Sequence, residues 1–258
     1  MIFRKTRYWF KGCSILFCLV LLSGCGGTKV LKEPVPYSST EPLSVGSDDA
    51  LSATLDWVIF RDGPGTWAKN ADWDEYFISV RNTGNDSLQI TSVAIVDSLG
   101  TRIEPRADRK QLVKGARETK RRYKDEGIKV KAGLSGKVLV GTGVVAAAGT
   151  SGLGAAAMAG GGAAAGAAAV VVLVPALAVG GVVRGLNNSE VNQEIESRQT
   201  RLPVFLENDE KKDLVLFFPL SPSPRRVEIA YLVREEKRVL HIDTESALEG
   251  LHLSAEEK

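Results

Sequence analysis

Residues 138–183 contain no charged side chain, and the run is closed on either side by Lys137 and Arg184. A helix crosses a bilayer with about 20 residues, so the run is long enough for two crossings. Its midpoint falls on Gly160, Gly161 and Gly162, where the chain turns most easily. The pattern predicts a helical hairpin with arms 138–159 and 163–183. Alanine and glycine dominate it. Gly152, Ala156, Gly160 and Ala164 keep small residues four apart, and Gly162 with Gly166 and Gly181 with Gly185 form GxxxG pairs. Such stripes let helices approach closely and associate by van der Waals contact in lipid. Glycine-rich helices form poorly in water, so a hairpin buried on protein, or a flexible low-complexity insert, is the alternative.

Part of the run admits a nucleotide reading. Residues 137–140 could be a short strand, and Gly141, Gly143 and Ala146 match a G-x-G-x-x-A fingerprint. That site needs an acidic residue about 20 positions later for the ribose, yet none occurs between Glu126 and Glu190. Gly136-Lys137 lacks the earlier glycine and the following Ser or Thr of a phosphate loop. Neither nucleotide reading survives its context.

The N-terminus sets the compartment. Arg4, Lys5, Arg7 and Lys11 precede an apolar stretch over 14–22, then small residues, the layout of a secretory signal. It ends in Leu22-Ser23-Gly24-Cys25. This resembles the lipobox of bacterial lipoproteins, which implies cleavage before Cys25 and acylation of that cysteine, palmitate included. Residues 1–24 are then a signal peptide, and they take Cys13 and Cys18 with them. They also hold four of the 33 basic residues and no acidic ones, leaving 29 basic against 31 acidic, so the charge balance gives no reason to expect nucleic acid. By the same resemblance, Gly26 and Gly27 after the cysteine imply the outer membrane, facing the periplasm. The small-residue stripes are similar to the glycine-zipper segments of membrane-inserting and pore-forming proteins.

Residues 25–50, with Pro34, Pro36 and Pro42 among serines, predict a lipid-anchored linker. Period-two patterns follow. Leu55, Trp57 and Ile59 mark one strand; Ile78 and Val80 alternate with Phe77, Ser79 and Arg81; after a turn at Gly84, Leu88, Ile90, Val93 and Ile95 continue. The pattern stops after Pro105 and returns as LPVFLE, DLVLFFPL, RRVEIAYLV and VLHID. Neither half closes a core alone. The reading is therefore a mainly β fold with an α-helical insertion: an antiparallel sandwich made of 51–105 and 201–245, split by residues 106–200 and followed by a tail, 246–258. The stretch NTGNDSLQITSVAIVDSLG resembles strand-turn-strand pieces of bacterial immunoglobulin-like domains, which implies an immunoglobulin-like sandwich.

The flanks of the uncharged run fit a hairpin. Residues 106–131 carry eleven basic and four acidic residues, with Leu112, Ala116 and Tyr123 on one helical side; 187–199 offer Asn188 or Ser189 as a cap, then Glu190, Glu194 and Glu196. Arg121, Arg122 and Lys124 are candidate contacts to lipid headgroups, although a solvated face partly neutralised by the acidic helix would look the same. His241 and Asp243 share one side of a strand but have no nucleophile to serve, and Trp67 and Trp73 suit packing better than a carbohydrate platform. No catalytic, metal or cofactor site is expected. The expectation is a non-enzymatic envelope lipoprotein whose hairpin enters a membrane or makes a homo-oligomer. The competing one is a periplasmic adhesion or accessory module whose insert docks on a protein partner.

Overall fold

The computed structural model describes residues 28–31, 41–134, 137–140, 143–146 and 188–254. In chain order these form β1 (Lys29–Val30), β2 (Ser44–Ser47), β3 (Leu51–Ile59), β4 (Ala68–Lys69), β5 (Trp73–Asn82), β6 (Leu88–Val96), β7 (Arg102–Ile103), α1 (Arg109–Asp125), β8 (Val130–Leu134), β9 (Lys137–Val140), β10 (Gly143–Ala146), α2 (Asn188–Arg198), β11 (Val204–Leu206), β12 (Lys211–Pro219), β13 (Arg226–Val233), β14 (Glu236–Asp243) and β15 (Leu251–Leu253). The chain is mainly β, and its sheets are antiparallel, as the alternating patterns predict.

One sheet runs β12-β5-β3-β2, and the other runs β11-β6-β13-β14, with β7 on the end of β6. Their inner faces share one apolar cluster, in which Leu55, Tyr76, Ile78 and Phe218 of the first join Ile90, Ile95, Ile229 and Leu240 of the second. Fully burying a side chain of this size is worth about 1.5–3 kcal/mol, so the shared cluster outweighs any single polar contact. Two β-bulges explain a spacing seen in the sequence. On β6 the core residues step by two to Ile90 and then by three to Val93, because Ser92 pairs with Ala230 while Ile90 pairs with Tyr231, leaving Thr91 as the extra residue. On β3 the extra residue is Asp56, between Leu55 and Trp57. At one edge the sheets approach so closely that a Cβ on Gly46 would lie 2.5 Å from the His241 carbonyl oxygen. Only glycine fits there.

A second layer covers the outer face of the first sheet. On β12, Leu214, Leu216 and Phe218 face the core, so Val215 and Phe217 must point the other way. There Phe217 is packed with Leu112 of α1, Val191 and Ile195 of α2, and Trp67 and Trp73. Helix α1 buries Leu112, Ala116, Thr119 and Tyr123, the stripe its spacing predicts plus Thr119. It starts at Asp108, whose side chain accepts from the Gln111 N–H, and sits close to β12 because a Cβ on Gly115 would lie 2.6 Å from the Pro219 ring.

Several boundaries move. The linker 25–50 contributes β1, which pairs with β4, and β2, which pairs along β3. The tail 246–258 contributes β15, which pairs with β8, while Ala247, Leu248 and Leu251 enter the core. These pieces escape a periodicity reading because they are two to four residues long or rich in glycine and serine.

The first arm of the expected helical hairpin is also corrected at its start. Strands β9 and β10 pair antiparallel, with Val140 opposite Gly143, so 137–140 and 143–146 are paired strands. Its valines suit a strand better than a helix. Gly143 therefore opens no helix, which removes the anion-binding helix terminus that a dinucleotide site requires. No helix of the described residues is long and apolar enough to cross a membrane, so the expectation of a transmembrane helix finds no support there. The remainder of the run, with Gly152, Gly160, Gly162, Gly166 and Gly181, lies outside the described residues, as do Gly185 just beyond it and Cys25.

Candidate functional site

The helix layer is where the basic segment α1, the N-terminal strand β1 and α2, the helix that follows the uncharged run, come together. Opposite the buried stripe of α1, Lys110, Lys114, Arg117, Arg121 and Lys124 are exposed. Steps of four and three residues place them in one line along the helix, about 21 Å long at 1.5 Å per residue. Lys114 lies 3.9 Å from Glu118, a weak surface pair. The other four have no ion-pair partner among the described residues.

The three candidate headgroup residues do not stay together. Arg121 and Lys124 lie on this exposed line, whereas Arg122 turns toward the sheets. Its guanidinium is 3.1 Å from Asp97 Oδ2 and also donates to the Thr101 hydroxyl. Asp97 is fully buried, and its other oxygen accepts the N–H groups of Leu99 and Thr101. Arg122 thus neutralises a buried carboxylate that closes the turn after β6. The acidic helix does not neutralise α1, since among the described residues no ion pair joins the two helices. They meet instead where the Arg109 N–H donates to Asn192 Oδ1 at 3.0 Å.

Beneath α2 lies a buried polar group. Trp67 Nε1 donates to Glu75 Oε2 at 2.7 Å, Arg198 lies 3.7 Å from Glu75 Oε1, and the same guanidinium sits 5.0 Å from the centre of the Trp67 ring. Burial raises the Glu75 carboxyl above the usual range, opposed by the Trp67 hydrogen bond and by the Arg198 charge. A carboxyl raised in this way favours the folded state most below its ordinary pKa, and that contribution falls as pH rises through the raised value. The tryptophans are packing residues here, 2% and 3% exposed for Trp67 and Trp73, and offer no carbohydrate platform.

On the core side of the same strand, Asp74 Oδ2 lies 2.8 Å from His252 Nε2, and His252 Nδ1 accepts the Gly133 N–H at 3.0 Å. That acceptor role places the ring proton on Nε2, where it is donated to Asp74. Both side chains are about 1% exposed. The pair ties β15 and β8 to β5, next to the point where the chain leaves for the uncharged run. Burial, then the Asp74 charge, pushes the neighbouring Tyr76 hydroxyl well up. His241 and Asp243, by contrast, are both exposed on β14.

The far end of the two sheets carries a polar cleft of about 310 Å³, lined by Asp49, Asn85, Asp86, Arg234, Glu236 and Arg238 among others. Arg238 pairs with Asp49 and Glu236, and Arg234 with Asp86. Arg234 and Glu235 both adopt left-handed backbone, with φ of 47° and 70°, in a two-residue turn that ordinarily takes Asn-Gly.

The Asp74–His252 and Glu75–Arg198 contacts are not identifiable from spacing. A weak signal exists in WDEYFISV, where two acids interrupt an apolar strand and must each find a partner once buried. Comparison with protein families, characterised proteins and solved structures finds no match for this chain.

Proposed function

We propose that the chain is a non-enzymatic lipoprotein of the cell envelope, acylated at Cys25, held at the outer membrane facing the periplasm, and displaying a glycine-rich apolar segment that enters a membrane or associates with copies of itself. The observation that carries this reading is an uncharged run with both flanks packed on one folded body. The chain departs past β8, which pairs with β15, and returns in α2, whose Val191 and Ile195 are buried. The domain thus presents the segment as an insertion held at both ends. On this reading Gly152, Gly160, Gly162, Gly166, Gly181 and Gly185 allow close helix packing. With 137–140 and 143–146 in strands, a helix over 147–159 would reach about 20 Å, short of a hydrocarbon core of about 30 Å. This favours insertion by the longer second arm, or packing between copies, over two full crossings.

The strand order supports an immunoglobulin-like sandwich. Neighbours β3 and β5 share one sheet, the chain crosses to β6, returns for β12 beside β5, and crosses again to β13 beside β6, with β14 following on the far side of β13. Crossings of that kind are what such sandwiches use. The insertion then falls between β7 and β11, both of which pair with β6. Acylation is tested by growing an expressing bacterium with labelled palmitate. Label on the wild-type protein and none on Cys25→Ser is expected; an unlabelled wild-type protein would remove the anchor from the proposal.

The cleft between the β2–β3, β5–β6 and β13–β14 turns favours a second reading, a periplasmic adhesion or accessory module whose sandwich binds a partner protein, with the insert only docking onto that partner. Deleting 147–187 spares every described element before α2, so capture of the same partner by the shortened protein would support that reading.

A further inference from the structure

We infer that the domain lies on the membrane through its helix layer, with Lys110, Lys114, Arg117, Arg121 and Lys124 set against anionic lipid headgroups of the bilayer that holds Cys25. This rests on the proposed acylation and adds an orientation to it. Three observations point the same way. First, the line of five cations is exposed along about 21 Å of helix and carries one weak acidic partner, Glu118. The outer face of the other sheet is compensated instead: Arg102 and Arg226 both pair with Glu228. Second, the anchor leaves from the same layer. Strand β1 lies against α2, and the Leu31 N–H donates to the carbonyl of Trp67, the ring under Arg198. Cys25 precedes Lys29 by four residues, a reach of at most about 14 Å. An acyl chain so placed holds the helix layer, rather than the loop-end cleft, near the lipid surface. Third, α2, the first described element after the uncharged run, belongs to this same layer and lies against β1. Each basic group near an anionic bilayer contributes about 1 kcal/mol of attraction, enough together to set which face of an anchored domain meets the lipid.

The test uses the full-length protein carrying Cys25→Ser, so that no acyl chain masks the contribution of charge. Its binding to vesicles of phosphatidylglycerol and phosphatidylethanolamine is measured by co-sedimentation, with phosphatidylcholine vesicles alongside. The triple variant Lys110→Glu, Arg117→Glu, Arg121→Glu is expected to bind the anionic vesicles roughly a hundredfold more weakly. A matched triple at the other end, Lys211→Glu, Arg234→Glu, Lys237→Glu, changes net charge equally and is expected to stay within about threefold of the parent. All six positions are exposed, so the fold tolerates both sets. Unchanged binding by the first triple, or equal losses from both, would overturn the inference. Equal losses would mean net charge alone. A stripe-dependent interaction with no palmitate label on the wild-type protein would sink the acylation reading and the shared bilayer with it, while label with stripe-independent binding would sink the orientation alone.

Discussion

Replacing His252 with alanine is expected to lower the unfolding free energy by about 3–5 kcal/mol, the cost of removing one member of a buried charged or hydrogen-bonded pair. Asp74 Oδ1 has no hydrogen-bond partner among the described residues, so the imidazole is what its carboxylate leans on. The Gly133 N–H loses its acceptor in the same step. Urea unfolding followed by tryptophan fluorescence measures the change, and His241→Ala, on an exposed strand face, should stay within about 0.5 kcal/mol of the parent. Equal effects at the two histidines would mean that the buried pair does not hold β8 and β15 to the sheets. Because β8 leads toward the uncharged run, His252→Ala should also make the peptide bonds just before residue 137 easier to cleave by added protease.

Arg122→Ala is the second large loss. Asp97 is fully buried, and its Oδ2 is left to Arg122, so truncation is expected to cost about 2–3 kcal/mol, less than for a fully enclosed pair because the guanidinium is a third exposed. Arg121→Ala and Lys124→Ala should each fall within about 0.5 kcal/mol. The three adjacent cations thus separate into one that holds the fold and two that face outward. The same unfolding experiment distinguishes them, and a loss at Arg121 as large as that at Arg122 would contradict the assignment.

Helical phase is what separates these neighbours, and the sequence offers it. Leu112, Ala116 and Tyr123 define the buried side of α1, and the residues opposite them are the exposed line. Arg122 falls beside Tyr123 on the side that meets the turn after β6. Its partner could not be read from spacing, because Asp97 is 25 residues away and reached only through the packing of α1 on β12. The β pattern was more legible. Ile78 and Val80 faced inward as their alternation demands, and the step of three from Ile90 to Val93 encodes the bulge at Thr91. Short strands such as β1, β7 and β15 carry too few residues to show a period. The start of the uncharged run went the other way: from Val138 on, the lack of charge suggested helix by length, while the valines of 138–140 and 143–146 favoured the strands that form. The absence of charge does not by itself choose between helix and strand.

The most direct test of the membrane role is made on the chain with Cys25→Ser, exported behind an ordinary cleavable signal so that it carries no lipid. Membranes are washed at alkaline pH, which strips peripheral proteins, and the pellet and supernatant are probed. Retention in the pellet is the predicted result, and it should be lost when 147–187 are deleted. Complete release of the intact chain would contradict insertion of the uncharged run into the bilayer, because the alkaline wash removes surface-bound contacts and leaves embedded segments behind.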